Sequence, residues 1–82
     1  MRRFYFDVLD GDTFSHDDEG LPLESLSVAE DQAIRAVTEM AHDSLPKRLS
    51  SEVSVRIRDD HGQTVLSVAL SMTVRRMNPA HA

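Results

Sequence analysis

From Arg3 to Leu9 the chain alternates, with Phe4, Phe6 and Val8 on one face and Arg3, Tyr5, Asp7 and Leu9 on the other. That two-residue period predicts a half-buried strand. Asp10-Gly11 follows, a pair that tolerates the positive φ of a tight turn, and Thr13-Phe14-Ser15 returns as a short second strand. Asp17 to Glu24 has no period, and Gly20 and Pro22 break any regular element there. From Leu26 the spacing changes to threes and fours. Leu26, Ala29, Ala33, Ala36, Val37, Met40 and Ala41 form one stripe, while Glu30, Asp31, Gln32, Arg35, Glu39 and His42 face away from it. This is an amphipathic helix with an alanine-rich buried side that lets it sit close to a sheet. Ser27 with Glu30 fits a capping box, Ser25 is the alternative cap, and Pro46 ends the helix. Val53, Val55 and Ile57 then alternate with Ser54, Arg56 and Arg58. Asp59-Asp60-His61-Gly62 turns the chain, and Thr64, Leu66, Val68, Leu70, Met72 and Val74 alternate again.

The order strand, strand, helix, strand, strand predicts a two-layer α+β domain over residues 1–76. Its antiparallel sheet has four strands, one helix covers one face, and residues 77–82 form a frayed tail. Pairing around the 60–62 turn should exhaust the strand from 53 to 59 near residue 69 or 70, yet the apolar alternation runs on to Val74. Either the first strand or a second copy of the chain must cover that overhang, because an unpaired apolar edge invites strand addition. A homodimer through this strand edge is expected.

Eighty-two residues make one domain with a thin core, so assistance from a partner fits its size. The chain has no cysteine, which removes disulfides, thiolate zinc sites and thiol nucleophiles, and fits a cytoplasmic protein. It opens on two arginines without a long apolar run, so neither a signal peptide nor a membrane span is expected. A net charge of −5 repels phosphate backbones and argues against nucleic-acid binding.

Asp7 to Gly20 gathers Asp7, Asp10, Asp12, Asp17, Asp18 and Glu19 around His16. Ser15-His16-Asp17 holds the residue types of a hydrolase triad, but neighbouring side chains in an extended segment point to opposite faces and cannot form a relay. From Asp10 the run also fails the calcium-loop pattern, with glycine second and Phe14 fifth. A looser divalent-metal site remains as an alternative use of the loop, against the simpler reading that acids are soluble turn formers. No catalytic, cofactor or metal residues are assigned, and the chain is expected to be non-enzymatic. The candidate partner-facing residues are Asp17, Asp18 and Glu19 in the loop, Arg75 and Arg76 after the last strand, and Tyr5 on the uncovered face. Arg75 or Arg76 is expected to meet the 17–19 loop, within the chain or across a dimer.

The stretches R-F-Y-F-D-V-x-D-G at 3–11, D-x-E-G at 17–20, L-x-S-L-x-x-A at 23–29 and V-R-I-R-D-D-H-G-x-x-x-L-x-V at 55–68 together resemble a known family. It is the domain of unknown function 6894, small proteins of rhizobia and related alphaproteobacteria. The resemblance implies a ββαββ fold in a bacterial cytoplasm and carries over no functional residue. D-D-E-G-L-P followed by S-V-A-E-D-Q-A is also similar to antitoxins of the HicB type, which would make the chain an inhibitor of a basic protein. Those proteins have a third strand before the helix and a DNA-binding extension, and neither is expected here. The favoured reading is a small acidic module that self-associates or binds another protein.

Overall fold

The structure, a computed structural model, describes residues 1–49 and 51–78. It is an α+β fold with β1 (Arg2–Asp10), β2 (Thr13–Ser15), β3 (Leu21–Leu23), α1 (Leu26–Ser44), β4 (Glu52–Arg58) and β5 (Thr64–Ser71). The sheet is open and antiparallel in the order β2-β1-β4-β5, and β3 also pairs with β1. One face carries the helix. From residue 79 on, the expected frayed tail lies outside the described residues, as does His81. Among the described residues no helix is long and apolar enough to cross a membrane.

The sheet has five strands, not the four expected. β3 is the addition, pairing Leu23, Pro22 and Leu21 with Arg2, Arg3 and Phe4. Its three residues around a proline show no period. On an edge strand, however, proline's missing N–H need not interrupt a ladder. A third strand before the helix, not expected from the sequence, is therefore present. In the first hairpin Asp10 pairs with Thr13, so the loop is Gly11-Asp12 and only Gly11 takes a positive φ, 61°.

Ser25, not the Ser27–Glu30 box, caps the helix: its backbone is extended (φ −158°, ψ 166°) and its hydroxyl accepts from the Val28 amide at 3.3 Å. At the other end the Leu45 amide still reaches the Ala41 carbonyl at 3.0 Å, and Pro46 prevents another turn. The Ser44 hydroxyl donates to Asp10 at 3.0 Å, fastening this end to β1.

The core lies between the helix and the face made by β1, β4 and β5. Phe4, Ala29, Ala33, Val37, Val53 and Ile57 are fully buried, with Phe6, Val8, Leu66, Val68 and Met72 packed around them. Burial of a side chain the size of Phe4 or Ile57 contributes about 2 to 3 kcal/mol, so a few such residues decide the stability of so small a domain.

β4 pairs with β5 through Glu52 and Ser71, and the Met72 amide bonds the Ser51 carbonyl at 2.9 Å. The overhang therefore begins about two residues later than the alternation alone suggests. β1 takes the opposite side of β4, through Tyr5 to Asp10, so it does not cover that overhang.

Candidate functional site

The edge of β1 away from β4 is shared. β2 pairs with residues 8–10 and β3 with residues 2–4, leaving the middle of the strand without a neighbour. Asp17 fills the gap. Its Oδ2 accepts from the Phe6 amide at 3.0 Å, where a strand carbonyl would otherwise stand. Its Oδ1 accepts from the amides of Glu19 and Gly20, both at 3.0 Å, which turns the loop back toward β3. Gly20 is required at the end of that turn. Its φ is 69°, and a Cβ there would stand 2.9 Å from both the Phe4 carbonyl and the Tyr5 ring.

On the face of the sheet away from the helix, Asp7 meets Arg58. Tyr5 pairs with Arg58 and Asp7 with Arg56 in the β1–β4 register, so Arg58 reaches one step along the sheet to its carboxylate. Arg58 Nε donates to Asp7 Oδ2 at 2.7 Å and Nη2 to Oδ1 at 3.1 Å, a two-pronged ion pair. Nη2 also donates to the Asp17 carbonyl at 2.8 Å, and the guanidinium lies 5.1 Å from the centre of the Tyr5 ring. The Asp17 amide donates to Asp7 at 3.0 Å, and His16 bridges Asp7 at 3.3 Å and Asp18 at 3.4 Å. Asp7 is only 5% exposed although it lies on the uncovered face, because the loop folds over it.

The two inner carboxylates respond differently to this enclosure. The Arg58 hydrogen bonds hold the Asp7 carboxyl below its ordinary value of 3.8, against the opposing effect of burial, and the Asp17 amide adds to the lowering. For Asp17 burial is the largest influence and raises the pKa, but the amides of Phe6, Gly20 and Glu19 together outweigh it and the carboxyl also ends below 3.8.

The candidate residues thus separate. Asp17 turns inward as a structural acceptor, while Asp18 and Glu19 remain exposed. Tyr5 is half-buried against Arg58. Arg75 and Arg76 are exposed beyond β5, and no ion pair joins them to the 17–19 loop among the described residues; within the chain the loop is met by Arg58, at the Asp17 carbonyl, and by Arg3, whose Nη1 donates to the Glu19 carbonyl at 2.7 Å. Ser15 stands on β2 opposite Val8, so Ser15, His16 and Asp17 do not converge. Among the described residues no three histidine, aspartate or glutamate side chains are placed to hold a metal ion. A shallow hollow of about 280 Å³ remains between Tyr5, His16, Asp18, Asp59 and Asp60.

Asp7 and Arg58 were not among the expected site residues. The signal for them was a charged residue on each of two facing strands, which acquires meaning only once β1 and β4 are known to be neighbours. An antiparallel sheet with one helix and an edge completed by its own acidic loop defines a small α+β sheet domain. The chain belongs to the family described as domain of unknown function (DUF6894), whose family model matches residues 3–71. No curated protein matches it, and no solved structure does.

Proposed function

We propose that this protein is a non-enzymatic interaction module of the bacterial cytoplasm that self-associates through the free edge of its sheet. The observation that carries this reading is β5, which ends the sheet order and is followed by a segment exposing Val74 and Met77, 59% and 90% accessible. Such an edge presents a row of backbone donors and acceptors to any strand that fits it. Sedimentation velocity of the purified chain across a wide concentration range tests it. A concentration-dependent dimer is expected, and a monomer at every concentration would refute self-association.

A second reading is favoured by one observation. β3 supplies the third strand before the helix that antitoxins of the HicB type carry, so an inhibitor of a basic partner is the competing function. Affinity purification from the native host separates the two, a basic toxic protein being the partner expected on the second reading.

A further inference from the structure

We propose that β5 pairs antiparallel with β5 of a second copy about a two-fold axis at Leu70. This deepens the self-association reading and rests on it. A two-fold axis perpendicular to the sheet keeps both helices on one side, so every residue faces a partner residue of the same side of the sheet. With the axis at Leu70, Leu66 faces the partner's Val74, Val68 faces the partner's Met72, and Leu70 faces its own copy. The other side pairs Ser67 with Thr73 and Ala69 with Ser71, all small. The whole apolar alternation from 66 to 74 is then covered. An axis at Ser67 or Val68 would instead carry Val74 into the partner's 60–62 turn. Pairing that starts at Leu66 also avoids the irregular register beside Arg58, where Ile57 faces Leu66 but Arg58 faces Thr64.

Charge supplies an independent argument for a second copy of this chain as the occupant. The turn that leads into β5 carries two acids, Asp59 and Asp60, which line one hollow with Arg58 and His16. The other end is basic: Arg75 and Arg76 follow β5, and Arg48 lines a cleft of about 240 Å³ with Met72 and Val74. Antiparallel pairing lays the basic end of each copy along the partner's Val65 and Thr64, beside the partner's acidic turn. The complementary contact is made twice by symmetry.

The absence of cysteine allows a direct test. Leu70→Cys, at a position 42% exposed, should form a disulfide-linked dimer under mild oxidation, read by intact mass under non-reducing conditions. Ser67→Cys should not, because the two copies of that residue would be about 20 Å apart. Cross-linking at 67 and not at 70, in a protein that sediments as a dimer, would overturn the register and leave self-association standing; a monomer in sedimentation would overturn both. The double variant Arg75→Glu/Arg76→Glu should weaken the dimer about tenfold. Adding Asp60→Arg to that chain should restore part of it. An unchanged dissociation constant in the double variant would overturn the charge pairing.

Discussion

The two edges of the sheet are finished in different ways. On the β1 side the chain completes itself: two short strands take the ends of β1, the Asp17 carboxylate takes the amide between them, and Arg58 ties loop, sheet and Tyr5 together. On the β5 side nothing in the described chain plays that part, and the apolar pattern continues past the last paired residue. The acidic run that first draws attention is largely occupied in closing one edge. At the opposite edge backbone and apolar groups remain open, which is what the proposed self-association would use.

The largest break in this contrast should come from Asp7→Ala. It leaves the Arg58 guanidinium, at the wall of the hollow, without its two-pronged partner and the Asp17 amide without an acceptor. Removing one member of such an enclosed pair costs about 3 kcal/mol. In a domain of this size the melting temperature should fall by more than about 10 °C, measured by thermal unfolding in circular dichroism. A loss within experimental error would mean that the closed edge is held by strand pairing alone.

Acid should erode the same edge. Asp7 and Asp17 both titrate below 3.8 when folded, so the unfolded chain binds protons first as the pH falls. Their stabilisation is complete above about pH 5 and is lost progressively as the pH drops through the folded values. Urea unfolding at pH 6 and pH 3.5 should show a lower midpoint in acid. Asp7→Asn should flatten that dependence, since only Asp17 of the pair would still titrate.

A smaller effect is expected from Gly20→Ala. The left-handed backbone and the 2.9 Å approach to Phe4 and Tyr5 together should cost about 1 to 2 kcal/mol. The damage should be local, with faster hydrogen exchange in β3 than in β4, because β3 is three residues long and enters the sheet directly from that turn. Uniform acceleration across β4 would show that β3 and the core open together.

What could be read beforehand follows the same division. The helix and both hairpins were legible because each is encoded locally, by a period of two or of three to four and by glycine in the turns. The closed edge was not, since Asp7 and Arg58 are 51 positions apart and meet only through the β1–β4 register. Asp17 had a local signal: an aspartate three residues before a glycine is the pattern of a side-chain-capped turn. Among so many neighbouring acids it read as an exposed cluster. The apolar overhang was visible, and the β1–β4 pairing removed one of its two proposed covers.

The smallest effect on the monomer is expected at the open edge, and this makes it the sharper half of the comparison. Val74 lies beyond β5 and is more than half exposed, so Val74→Lys should alter the stability of dilute monomer by less than about 0.5 kcal/mol. In the dimer the same lysine would stand opposite the partner's Leu66, and strand edges are commonly blunted by such a charge. Association adds a concentration-dependent increment to unfolding, so the wild-type melting temperature should rise with protein concentration while that of the variant should not. Equal concentration dependence in the two proteins would move the contact away from this edge. Lower stability of the variant at high dilution would show that residues 73–76 are part of the monomer's own packing.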